Sequence, residues 1–187
     1  IRDAYWSRGL GDVYKRQSIY SLKVLGVVQD GGLPHLGSDR ICCEDYEQKR
    51  YVTSIMLINN ETNESYLFDA SPDINEQLNF MGKGIKKNLK GIFLTHAHIG
   101  HYTGLMYFGR EALNSKLMNV YAMPRMKKFL EQNGPWSQLV SLENISITEL
   151  NNIAAKTSGV VTATLADDSL SNLGDLTTAG TDAITIT

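Results

Sequence analysis

The chain has only two cysteines, Cys42 and Cys43, and they are neighbours. Two cysteines make no disulfide framework, and adjacent ones bridge only with strain, so thiol usage does not assign a redox compartment. No run of 18 or more apolar residues is present, which excludes a membrane-spanning helix as the sequence stands. An excess of one charge is missing too: 18 Lys and Arg face 20 Asp and Glu, a net charge of −2. There is thus no electrostatic footprint for nucleic acid or an anionic membrane. The first residues carry Arg and Lys but no apolar stretch behind them, so they do not read as a signal peptide. A cytoplasmic or periplasmic location stays undecided. What is present, 42% hydrophobic and 20% charged residues over 187 positions, is ordinary globular composition for one domain.

Three pieces differ in character. Residues 1–17 sustain neither helical nor strand periodicity and resemble a translated cloning or sequencing adapter; a genuine flexible terminus is the alternative. Residues 18–151 read as α/β sequence. Residues 152–187 hold eight Thr, six Ala, four Asp, one Lys and no aromatic residue. That tail resembles extracellular adhesin-type β sequence and is expected to be foreign to the rest, an edge hairpin of the same domain being the alternative. Both outer pieces are expected to pack poorly against the centre.

In the central piece, residues 21–28 form a strand candidate, stopped by Asp30-Gly31-Gly32-Leu33-Pro34. Residues 51–58 and 65–68 are two more strands, joined by a polar hairpin loop. Ser71-Pro72-Asp73 is a helix start, with a helix expected to about Met81. Residues 91–95 predict a short buried strand. A helix over 102–113, a strand over 118–122, a helix over 125–132 and strands over 139–142 and 145–150 follow.

Three of the four histidines lie within six residues: Thr95-His96-Ala97-His98-Ile99-Gly100-His101. In extended chain, His96 and His98 point to the same side. His101 follows where the chain turns into the next helix. Three imidazoles gathered at a strand's C-terminal end suit zinc, which accepts neutral histidine nitrogen. Solvent-facing histidines with no ligand are the plainer alternative.

This segment resembles the metallo-β-lactamase superfamily signature, Thr-His-x-His-x-Asp-His, with His96, His98 and His101 on motif positions. Residues 24–35, with Gln29-Asp30-Gly31-Gly32, are more narrowly similar to the group related to coenzyme PQQ synthesis protein B. The resemblance implies an αββα sandwich, of which this chain supplies the N-terminal half, and a hydrolase holding one or two zinc ions. His96 and His98 would hold the first metal and His101 the second. Asp69, at the end of 65–68, would support the site from behind, a plain strand-end acid being its alternative. Two departures stand out. Gly100 replaces the motif's Asp, and no histidine follows His101. The family draws further ligands from a later His, an acidic residue and a final His, so a truncated product or a protein that no longer completes the site is expected, with weak zinc binding and little turnover.

Other residues have two readings each. His35 lines a cleft or is a plain loop residue. Cys42 and Cys43 join a small zinc site or do not. Asp30 orients near the metal or is simply turn chemistry. Tyr102 and Met106 are expected to be packing residues, and Lys83, Lys86, Lys87 and Lys90 a solvated loop. The expected partner is a small-molecule substrate. The competing functions are a non-hydrolytic metal carrier in cofactor biosynthesis and, from the tail, part of a surface adhesin.

Overall fold

The computed structural model describes residues 18–44, 49–150, 162–165 and 183–186. Residues 1–17 and most of the 152–187 tail, set apart above by composition, lie outside the described residues. Six strands form one sheet in the order β1 (Tyr20–Gly26), β2 (Ser54–Asn59), β3 (Ser65–Phe68), β4 (Leu89–Phe93), β5 (Met118–Ala122) and β6 (Ile145–Glu149). The first two pairings are antiparallel, and β3 through β6 run parallel. Strands β7 (Thr162–Leu165) and β8 (Ala183–Ile186) pair in parallel as a separate ribbon.

The strand alternation sorts one sheet into two faces. Met56, Leu67, Ile92, Val120 and Ile147 sit opposite one another across β2 to β6 and are buried. Ile74, Leu78, Leu105, Phe108, Met126, Leu130 and Leu139 close over them and complete the core. Burying each such side chain contributes roughly 1.5–3 kcal/mol. The other face carries Tyr66, Phe68, Phe93 and Tyr121, partly exposed. There Phe93 stacks on Phe68 at 5.1 Å and on Tyr121 at 4.5 Å between centroids. This mixed sheet with helices is the α/β class expected from the sequence.

Several elements differ from the sequence expectation. The helix expected to Met81 is one turn, α2 (Ile74–Gln77), followed by 3-10 turns over Asn79–Gly84. Gly82, at φ 48 and ψ −131, breaks the helix before α3 (Ile85–Asn88) resumes it. Three of the four lysines expected in a solvated loop are therefore on or beside helical turns, and Lys90 is on β4, 3.5 Å from Glu64. The helix placed at 102–113 begins earlier, as α4 (Ile99–Tyr102), and tightens into a 3-10 segment ending at Phe108. Residues 139–142 are not a strand: they belong to α6 (Trp136–Ser141) and its cap, packed on α5 (Pro124–Gln132). Trp136, Leu139 and Val140 have i, i+3, i+4 spacing, and this helical stripe outweighed their β-prone composition. Tyr102 does pack, between Phe129 and Trp136, but Met106 is 46% exposed.

Candidate metal centre

Asp69 follows β3 directly, and His96 comes three residues after β4. The two strands are parallel neighbours, so both loops leave the same sheet edge, at the strands' C-terminal ends. Asp69 sits in left-handed backbone, φ 66, a conformation in which Asp and Asn are enriched. Its N–H donates to the Phe93 carbonyl at 2.8 Å, and its carbonyl accepts the Ser54 hydroxyl at 3.0 Å. The backbone is thus pinned from both sides, and the carboxylate is aimed inward with only 7% exposed.

That carboxylate accepts three hydrogen bonds. Oδ1 takes the Thr95 N–H at 2.8 Å, and Oδ2 takes the Thr95 hydroxyl at 2.7 Å and His101 Nδ1 at 2.8 Å. A carboxylate only accepts, so in the neutral His101 ring the proton is on Nδ1 and Nε2 presents a lone pair. The Thr95 hydroxyl has one proton and gives it to Asp69. Its oxygen, 2.9 Å from His96 Nδ1, therefore accepts from that ring. Asp69 in this way sets the tautomers of two histidines, one directly and one through Thr95. The sequence reading did not single out Thr95, although it stands within the motif.

The three rings gather at the sheet edge. His96 Nε2 lies 3.1 Å from His98 Nδ1, and the His96 and His101 rings are 3.9 Å apart between centroids. Tetrahedral zinc with nitrogen ligands at 2.0–2.1 Å would space two donors by about 3.3 Å. The His96–His98 approach is close to that edge length, and the donor set is the one zinc takes. His101 Nε2 lies 3.2 Å from Asp30 Oδ1, and His98 Nδ1 lies 3.6 Å from Asp30 Oδ2. Among the described residues, no three His, Cys, Asp or Glu side chains converge as a ready metal-holding group. The arrangement is instead a histidine pair with His101 and Asp30 beside it. Burial holds the His96 pKa below the usual imidazole value of 6.5, and the neighbouring His101 and His98 push it the same way. His98 is 71% and His101 14% exposed, so the site opens to solvent on the His98 side.

Close backbone packing holds the supports together. The Ala70 N–H donates to the His101 carbonyl at 2.8 Å, and the Gly104 N–H to the Ala70 carbonyl at 2.9 Å. A Cβ on Gly104 would collide with the Ser71 carbonyl oxygen and lie 2.8 Å from that of Ala70. The Ser71 hydroxyl, expected to cap the helix, accepts the Asp73 N–H at 3.1 Å and donates to Gln77 Oε1 at 2.7 Å.

The remaining candidates are His35 and the two cysteines. The exposed His35 lies in the turn after β1, with Nδ1 3.1 Å from the Leu36 carbonyl oxygen. Its backbone N–H meets Cys43 Sγ at 3.5 Å, and that contact heads the causes that lower the Cys43 thiol pKa. Cys42 and Cys43 are both free. No helix among the described residues is long and apolar enough to cross a membrane.

Comparison with known proteins gives the family. No curated protein sequence matches the chain. Among solved structures, zinc-bound PqqB from Methylobacterium extorquens is similar, with TM-score 0.57 and 18% identity. The likeness covers 70% of this chain and 49% of that one, so the chain spans about half the length of this neighbour. A diphosphatase from the PhnP family is also similar, with TM-score 0.56 and 21% identity over 83% of this chain and 68% of the other. At these identities the likeness is one of fold. The sequence model of the Beta-lactamase superfamily domain matches residues 64–180, which include Asp69, all three clustered histidines and part of the Thr-rich tail. With that match over more than half its length, on a sheet edge where Asp69 anchors His101, the chain belongs to the metallo-β-lactamase superfamily.

Proposed function

We propose that the chain is part of a zinc-dependent hydrolase acting on a small-molecule ester, amide, thioester or phosphodiester. The observation that carries this reading is the link from Asp69 to two histidines. It leaves His101 Nε2 and His96 Nε2 unprotonated, the state a metal ligand needs. His96 and His98 would hold one ion, and His101 would contribute to a second. The similar PqqB structure is described as zinc-bound and the PhnP-family neighbour as a diphosphatase, which favours zinc and includes phosphoesters in the substrate class. Zinc in such a site lowers the pKa of bound water to about 7 and polarises a carbonyl or phosphoryl oxygen.

The chain's own residues do the positioning. Asp69 fixes ring orientation, Thr95 passes that constraint to His96, and the open His98 side admits substrate. The test is a calorimetric zinc titration of the purified chain beside a panel of p-nitrophenyl ester, thioester and phosphodiester substrates. Zinc binding that vanishes in His96→Ala is expected. Absence of zinc binding, or binding indifferent to His96→Ala and His98→Ala, would overturn the reading.

A further inference from the structure

Position 100 of the histidine motif has no side chain, yet the space beside it is filled. A Cβ built on Gly100 would overlap Asp30 Oδ1, lie 2.7 Å from Asp30 Cα and lie 3.0 Å from its Cβ. Gly100 itself is buried. Asp30, from the turn after β1, thus occupies the volume that a residue-100 side chain would take. The turn is held in place. The Gly32 N–H donates to the Gln29 carbonyl at 2.8 Å, and the Val28 carbonyl accepts the Thr53 N–H at 2.9 Å and the Thr53 hydroxyl at 3.0 Å.

One oxygen of that carboxylate is unsatisfied, although the side chain as a whole is 36% exposed. Asp30 Oδ1 is buried and has no hydrogen-bond partner, although it lies 3.2 Å from His101 Nε2. Oδ2 is 3.6 Å from His98 Nδ1. His101 gives its Nδ1 proton to Asp69, so its Nε2 lone pair and the Asp30 oxygen are two acceptors at close range. Two acceptors at this range need a proton or a metal cation between them, and the contact lacks the alignment of a hydrogen bond. A separation of 3.2 Å without hydrogen-bond alignment fits two ligands of one cation. It is also near the edge of about 3.3 Å expected for two zinc ligands at their usual bond lengths. A buried, unpaired carboxylate oxygen is costly and calls for a partner.

We propose that Asp30 supplies, from the β1 loop, the carboxylate ligand that the motif lacks at position 100, and that it shares a metal ion with His101. This inference rests on the metal-dependent reading above. The ligand has moved to a different part of the chain while its position in space is kept.

The test uses cobalt(II) as the probe on the full chain, reading affinity from the growth of its visible absorption bands and coordination from their shape. Three variants are compared with the wild type: Asp30→Asn, Asp30→Gly and His96→Ala. Asp30→Asn nearly preserves size, and circular dichroism verifies that each variant is folded. The expected result is at least about tenfold weaker cobalt binding in Asp30→Asn and a changed band shape, since even outer partners of a metal site are worth 10–100-fold. Asp30→Gly, which removes the carboxylate altogether, should bind at least as weakly as Asp30→Asn. Asp30→Asn with wild-type affinity and spectrum, while His96→Ala loses binding, would overturn the role of Asp30 alone. A wild type that binds no cobalt would overturn the metal reading and this inference with it.

Discussion

Asp69 Oδ2 and His101 Nδ1 meet at 2.8 Å across 32 residues of chain, and both side chains are largely shielded from water. Asp69→Asn tests what this contact does. Asn tolerates the left-handed backbone at position 69, so the substitution removes the charge and changes the hydrogen-bonding pattern without straining the chain. Zinc affinity is expected to fall by about 10–100-fold. Calorimetry measures the loss, and unchanged affinity would show that Asp69 does not support the site.

Thr95→Val isolates the second arm of the same device. The valine keeps the backbone N–H bond to Asp69 but deletes the hydroxyl that accepts from His96 Nδ1. The metal-free variant should show His96 in a mixture of tautomers, read from its ring nitrogen chemical shifts, while His101 stays protonated on Nδ1. A single unchanged His96 tautomer would show that the ring is set by something else.

Gly104→Ala should be severe for so small a change. The added methyl would strike the Ser71 carbonyl oxygen, which is backbone and cannot rotate away. Forced overpacking of this kind costs about 1–3 kcal/mol, occasionally more. Urea denaturation should register the loss as a lower midpoint. Because Gly104 clasps Ala70, and Ala70 the His101 carbonyl, zinc affinity should drop with it.

A pH prediction follows from Lys49. Its ammonium lies 2.6 Å from Asp73 Oδ1, and that hydrogen bond raises its pKa above the ordinary 10.5, against the effect of partial burial. The folded state therefore favours the charged form. The stabilisation is complete below pH 10.5 and declines as pH rises through the folded-state pKa. Denaturation midpoints between pH 9 and 12 should fall more steeply for the wild type than for Lys49→Met. Parallel curves would dissociate Lys49 from alkaline stability.

Much of this molecule was legible in the residues. Strands β3 and β5 fall where their alternation put them, because their buried positions, such as Leu67 and Val120, alternate with half-exposed aromatics. The histidine cluster was legible from spacing alone, since i and i+2 after a strand share a side. The helix ends were not. Gly82 interrupts one helix with a positive φ, and a 3-10 segment replaces the continuous helix expected after Tyr102. Neither choice is encoded by periodicity. Thr95 was passed over because its role depends on the direction of one hydroxyl proton. The relation of Asp30 to Gly100 lay beyond sequence reading for a simpler reason. Nothing local to either residue says that the turn after β1 comes to rest against the motif.

The parallel pairing of β3 with β4 also sets when the site comes into being. Antiparallel β2 and β3 zip through a short hairpin and can form early, from neighbouring chain. Asp69 and Thr95 cannot meet until residues 69–88 have crossed over and laid β4 beside β3, a non-local step of the kind that slows folding. The histidine pocket is therefore assembled after the hairpin, and a metal ion has no organised site to find during the first stage. Zinc present during refolding should leave the earliest kinetic phase untouched and act only on the later one, by slowing the return of already assembled chains to the unfolded state.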